Sequence, residues 1–311
     1  SFFWEEIMLT VLLNVILMLV YMSFGFGLCK FKKAEPTHAK TLSSLLVYIL
    51  SPIMILNSFI QMEYSHETLL DIGLFFIVSL GIQICFFLIL FLILRKKYSD
   101  PKYRILTVSS VLGNVGFFGL PIITGLYPES PVVACYSAIY VMSMNLLVFT
   151  MGVFLITNNK KYVSIKSAIL NPTTLSILVS LPLFIFNFDF PVFIDNTLDV
   201  LAKMVTPVCM IVLGMRLSTV SFKALFSRPF VYVSCLMKLV VFPLFAYLCV
   251  VFLPLSDVFK ASIFVLSAAP SGAIIVSLAE IHECEQELSA NVVLMTTLLS
   301  VLTLPLLILI L

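Results

Sequence analysis

Charge is scarce in this chain. Only 11% of its 311 residues are Asp, Glu, Lys or Arg, against about a quarter in a soluble domain. With 61% hydrophobic residues and a mean hydropathy of +1.15, that shortage excludes a water-soluble enzyme and makes the lipid bilayer the first expected partner. The seven cysteines form no Cys-x-x-Cys pair and are odd in number, so buried reduced thiols are expected rather than a disulfide framework. There is no Gly-x-x-x-x-Gly-Lys phosphate loop and no Gly-x-Ser-x-Gly elbow, which disfavours ATP driving and enzymatic function. A formal net charge of +2 offers no basic field for nucleic acid. The acid-rich stretch Glu280, His282, Glu283, Cys284, Glu285 and Glu287 lacks zinc-ligand spacing and reads as a solvated loop. No cofactor and no metal are expected.

What the chain has is long apolar runs. A spanning helix needs about 20 mostly apolar residues, and ten such runs fill nearly the whole sequence: Ile7 to Leu28, Thr41 to Gln61, Leu69 to Leu94, Tyr103 to Leu126, Val132 to Thr157, Ser167 to Asn187, Thr197 to Leu217, Phe230 to Leu253, Val258 to Ile281 and Leu288 to Leu311. The first follows Glu5 and Glu6 rather than basic residues and precedes no small-residue cleavage site, so a retained span is expected there, not a signal peptide.

Basic loops stay cytoplasmic. Fifteen of the 18 basic residues fall in one set of alternate loops: Lys30, Lys32, Lys33, Lys40; Arg95, Lys96, Lys97, Lys102, Arg104; Lys160, Lys161, Lys166; Arg216, Lys223, Arg228. The other set holds Lys260 alone, while Lys203 and Lys238 lie inside spans. Both termini are therefore expected outside the plasma membrane.

Two pairs of interruptions recur at nearly the same interval. Leu50-Ser51-Pro52 in the second run and Val205-Thr206-Pro207 in the seventh are offset by 155 residues. Val111-Leu112-Gly113-Asn114-Val115-Gly116 in the fourth and Ala268-Ala269-Pro270-Ser271-Gly272 in the ninth are offset by 157. Five spans per copy is an odd number, so the second copy would be inverted, the plan of many secondary transporters. The expected repeats are residues 1–157 and 158–311.

The fourth and ninth runs are interrupted near their middles: Asn114 is 12 residues from both Lys102 and Leu126, and Pro270 is 12 from Val258 and 11 from Ile281. Irregular backbone at that depth belongs where it lines a cavity. Each break would begin a half-helix with its N-terminus at the midplane, and two such ends attract an anion such as a carboxylate. Asn114 would add amide donors and Ser271 a hydroxyl. The plainer reading is that glycine and proline only kink two packed helices.

The run Gly113-Asn114-Val115-Gly116-Phe117-Phe118-Gly119-Leu120-Pro121 resembles the Gly-Asn-x-Gly-x-x-Gly-x-Pro signature of the auxin efflux carrier family, which includes bacterial organic-acid permeases and plant auxin carriers. Leu42 to Ser58 around Pro52, Asn171-Pro172, Leu213-Gly214 and Ala268 to Glu280 also match. The resemblance implies an all-α integral membrane fold of ten helices in two inverted five-helix repeats, with broken crossover helices four and nine, similar to bile-acid symporters and sodium/proton antiporters. Helices one, two, six and seven would form a scaffold; helices three to five and eight to ten would form an elevator-like transport domain. By position, Asn114 would contact the carboxylate, Pro270 would be the second crossover residue, with Gly113, Ser271 and Gly272 around them, and Asn145 would line the site. Plant members usually have proline at the position of Gly113, an acidic residue near that of Lys203, and a long loop between spans five and six.

Lys203 lies 8 residues past Asp195 and Lys238 9 residues past Pro229, about 12 to 14 Å deep at 1.5 Å per residue. A charge there costs roughly 3 kcal/mol. Two readings are equally open: substrate attraction or proton coupling, or snorkelling and a hydrogen bond to a broken-helix carbonyl. Ser51, Pro52, Asn171, Thr206 and Pro207 are secondary candidates, Asn171 reading first as a helix start. The function expected is a secondary carrier that moves a small organic anion by alternating access, in the direction of efflux. A sodium- or proton-coupled symporter and a transport-inactive membrane sensor are the alternatives, and a homodimer is a further expectation.

Overall fold

In lipid every backbone N–H and C=O must find its partner within the protein, which leaves helix as the economical solution for an apolar chain. The computed structural model describes residues 2–127, 129–219 and 228–311; Lys223, one of the basic loop residues, lies outside them. Within these residues the fold is all-helical. In chain order the helices are α1 (Phe2–Lys30), α2 (Pro36–Ile60), α3 (His66–Lys97), α4 (Pro101–Val111), α5 (Leu120–Leu126), α6 (Val132–Thr157), α7 (Lys160–Ile185), α8 (Val192–Leu217), α9 (Pro229–Val250), α10 (Asp257–Ser267), α11 (Ile274–Ile281) and α12 (Gln286–Ile308). Among the described residues six of them, α2, α3, α6, α7, α8 and α9, are long and apolar enough to cross a membrane by length and composition. The fourth and ninth apolar runs are instead each split into two shorter helices, α4 with α5 and α10 with α11.

Three of the four described π-turns precede a proline; the fourth, Val148–Gly152, does not. A widened π-turn occupies Leu46–Leu50, Val115–Gly119 and Met237–Val241, and in each case a proline stands six residues after its first residue, at Pro52, Pro121 and Pro243. Proline has no N–H and its ring crowds the carbonyl four residues back. That carbonyl belongs to Tyr48, Phe117 and Leu239, inside each π-turn, where the wider ladder makes room. At Pro207 the helix instead breaks at Met204, between Val192–Lys203 and Val205–Leu217.

The close helix pairings include α1 on α8, α8 on α2, α7 on α2, α3 on α6 and α9 on α12. The first of these is a glycine contact. A Cβ added at Gly214 would overlap the Met22 carbonyl, and one added at Gly25 would overlap that of Ile211, so the two backbones lie directly against each other, as small residues permit between membrane helices.

Helix ends gather on two sides. On one, Arg104 Nη1 donates to the carbonyls of Leu155 and Ile156, both at 3.3 Å, the Tyr162 and His282 rings meet at 4.8 Å, and Arg228 pairs with Glu287 at 2.7 Å. On the other, the Tyr64 N–H donates to Asn187 Oδ1 at 2.7 Å, and burial together with the neighbouring Asp257 charge raises the Tyr127 phenol above its usual pKa.

Candidate functional site

Gly113 and Pro270 end their helices for local reasons, one through low helix propensity and the other through a missing donor and a ring clash. Such ends leave backbone groups unpaired, and here the two breaks satisfy each other. The Asn114 N–H donates to the Pro270 carbonyl at 2.6 Å and the Gly272 N–H to the Leu112 carbonyl at 3.0 Å. Gly113 and Ser271 face each other as an isolated antiparallel bridge. This short pairing crosses the two broken runs at one point. It also demands glycine, since a Cβ on Gly272 would lie 2.9 Å from the Gly113 carbonyl oxygen.

Four helix ends meet there. α4 and α10 arrive with their C-termini, each carrying about half a negative charge, while the segments beginning at Val115 and Ile274 leave with their positive N-termini. Lys238, buried at 1% exposure, serves the negative ends. Its Nζ donates to the carbonyls of Val111 at 3.3 Å and Ser267 at 3.1 Å, the last residues of α4 and α10, and lies 4.7 Å from the centre of the Phe242 ring. Of the two roles open to this lysine in the sequence, the geometry supplies the hydrogen bond to broken-helix carbonyls.

Asn114 follows the pairing directly. Its side chain is buried yet has no hydrogen-bond partner among the described residues, so its carboxamide keeps its donors free. Ser271 is committed instead: its hydroxyl donates to the Ser109 carbonyl at 2.9 Å and its N–H to Thr296 Oγ1 at 3.1 Å. Asn145 Nδ2 donates to Asn171 Oδ1 at 3.3 Å, and Asn171 caps the segment from Pro172 by accepting from the Thr173 N–H at 3.0 Å, which is the helix-start role. Asn171 also lines a cavity of about 370 Å³ with Tyr48 and Lys166.

A larger cavity, about 890 Å³, runs between α2, α8, α11 and α12. It starts among Lys40, Arg216 and Glu280 and extends past Ser44 and Ser277 to Ala273, the residue after Gly272. Asn114 is not on its wall, and neither are Ser51 or Thr206. Ser51 is buried with its hydroxyl unpartnered among the described residues, beside Pro52 at the end of the π-turn; Thr206 and Pro207 are half-buried in α8.

Lys203 ends the first segment of α8, just before Met204, and its side chain is 75% exposed in an ion pair with Asp199 one helical turn back. The pair and the helix C-terminus account for the charge locally, away from the crossover.

Residues 10–308 match the family described as "Membrane transport protein". The chain belongs to this family, that of the auxin efflux carriers. It is 28% identical over 309 residues, covering 95% of this chain and 96% of the other, to an uncharacterized transporter of Methanocaldococcus jannaschii. The family is one of integral, multi-pass membrane transporters rather than of enzymes. The carrier signature from Gly113 to Pro121 coincides with one strand of the crossover pairing and the π-turn after it.

Other polar groups of the interior went unread in the sequence. Gln83 Nε2 donates to Ser143 Oγ at 2.8 Å and to the Ser79 carbonyl at 3.1 Å, and the Tyr140 hydroxyl bonds Ser267 Oγ at 3.0 Å. A lone glutamine inside a run of more than twenty apolar residues was the available signal for the first. Nothing local marked Tyr140 or Thr296.

Proposed function

We propose that the chain is a secondary carrier for a small organic anion, a carboxylate, working by alternating access. The observation that carries this reading is the cavity of about 890 Å³ that reaches from a rim with Lys40 and Arg216 to Ala273, beside the crossover pairing. In the ten-span reading this rim is cytoplasmic and the cavity is the inward-facing vestibule. Two inverted repeats, 1–157 and 158–311, account for the reciprocal packing of α1 on α8 and α7 on α2, the core of a scaffold. They also account for the matching pairs α3 on α6 and α9 on α12, which would move together as an elevator-like transport domain. The two sets of loop contacts, with Arg104, His282 and Glu287 on one side and Tyr64, Asn187 and Tyr127 on the other, support the alternation of ten spans; the basic loops are what favours a plasma-membrane orientation with both termini outside.

In this reading the carboxylate lies against the free carboxamide of Asn114 and the positive starts of the two outgoing half-helices. The four helix ends cancel in pairs, so Lys238 leaves the empty site with about one positive charge and the loaded site near neutral. An anion moving alone is then driven outward by an inside-negative potential, at about 2.3 kcal/mol per charge per 100 mV.

The test is carboxylate flux in proteoliposomes with the potential clamped by potassium and valinomycin, at equal sodium and pH on both sides. Flux is expected to follow the potential. Asn114→Ala is expected to weaken binding roughly 10-fold to 150-fold, the equivalent of about 1.5 to 3 kcal/mol for a lost hydrogen bond to a charged group. Flux that ignores the potential and follows a sodium or proton gradient would replace this reading with the coupled symporter. No flux of any carboxylate by well-folded protein would favour the sensor.

A further inference from the structure

Lys238 has a second consequence, independent of which anion is carried. An ammonium has three N–H donors and no acceptor, and three partners surround this one: the Val111 carbonyl, the Ser267 carbonyl and the face of Phe242. Among the described residues no carboxylate pairs with it. Its counter-charge is therefore the two helix C-termini, which together present about one negative charge. The surroundings are shaped to hold it. The π-turn Met237–Val241 carries Lys238, and Gly113 leaves the space beside Nζ open, where a Cβ would stand 3.0 Å away. Two converging carbonyls at the ends of broken helices are also what a bare alkali cation binds.

We propose that the Lys238 ammonium is a tethered counter-cation: it holds the place at the crossover where a coupling cation would sit, and so makes the protein indifferent to sodium. Removing the side chain should expose a site for a free cation.

The experiment uses purified full-length protein without any carboxylate, so its outcome is separate from that of the carrier reading. Thermal unfolding is measured in sodium chloride and in choline chloride at equal ionic strength, with and without ethylammonium chloride. Wild type is expected to unfold at the same temperature in all of them. Lys238→Ala is expected to unfold several degrees lower in choline and to recover part of the loss in sodium or ethylammonium. Lys238→Met, which fills the space with an apolar chain, is expected to be destabilised without recovery. Stabilisation of wild type by sodium over choline would overturn the proposal. So would wild-type stability of Lys238→Met, or Lys238→Ala that neither cation restores. If Lys238→Ala does not fold, the wild-type comparison and Gly113→Ala, whose methyl crowds the ammonium, decide: Gly113→Ala is expected to lower the unfolding temperature, and an unchanged one would count against the proposal.

Discussion

Glycine at 272 does what no other residue can at that position. Its neighbour is not a flexible side chain but the Gly113 carbonyl, whose oxygen and carbon would lie 2.9 and 3.2 Å from an added Cβ, and both backbones are tied by the crossover hydrogen bonds. Gly272→Ala is expected to cost about 1 to 3 kcal/mol, the usual range for overpacking, seen as a lower unfolding temperature and reduced flux. The control is Gly81→Ala in α3, where nothing among the described residues lies within 4 Å of the new methyl. It should be neutral or stabilising by up to about 1 kcal/mol through helix propensity. Equal stability of the two variants would mean that the crossover yields to the methyl. This site was partly legible in the sequence, since a glycine inside an apolar run invites a backbone explanation. Its partner was not, because Gly113 lies far away along the chain.

At the scale of the element, the α1 and α8 pair brings backbone against backbone at Gly25 and Gly214. Around Gly214 the Phe26 nitrogen would stand 2.9 Å from a Cβ, with the Met22 carbonyl closer still. Lipid tails are as apolar as leucine, so dispersion between close backbones is what holds such a pair. Gly214→Leu must force the helices apart and is expected to reduce the yield of monodisperse protein severely in size-exclusion chromatography. Gly27→Ala, whose methyl would meet only the Phe31 ring, at 3.7 Å, among the described residues, should elute as wild type does. An undisturbed Gly214→Leu protein would show that α1 and α8 can separate without loss. The π-turns belong to this scale too. A proline in a span is visible in any sequence, but whether the helix widens, as before Pro52 and Pro243, or breaks, as before Pro207, depends on what packs against it.

For the whole molecule the sharpest consequence is access. Ser44 and Ser277 both line the large cavity, which opens among Lys40, Arg216 and Glu280. In a background lacking the native cysteines, Ser277→Cys is expected to react with a membrane-impermeant thiol reagent applied from the side of the Lys160-Lys161 loop, and to be protected from the opposite side. A carboxylate that is carried should slow the labelling. Reaction from the opposite side alone would mean that the cavity opens on the other face from that loop, and would remove the inward-facing vestibule from the carrier reading.

By itself the sequence determined the class of the protein and the places where its helices fail. Both are local matters: membrane insertion depends on the apolar content of about 20 consecutive residues, and helix breaks depend on glycine and proline within one turn. The loop charges were legible for the same reason. Tertiary structure alone decided how these pieces meet. It set Gly113 against Ser271, committed the Ser271 hydroxyl to a carbonyl 162 residues away, joined Lys238 to carbonyls 127 and 29 residues away, and turned Lys203 outward to Asp199. The physical reason lies in the solvent. In water an apolar stripe fixes which face of a helix turns inward. In a bilayer the lipid-facing and core-facing sides are equally apolar, so rotation about each helix axis is set only by contact with its neighbours.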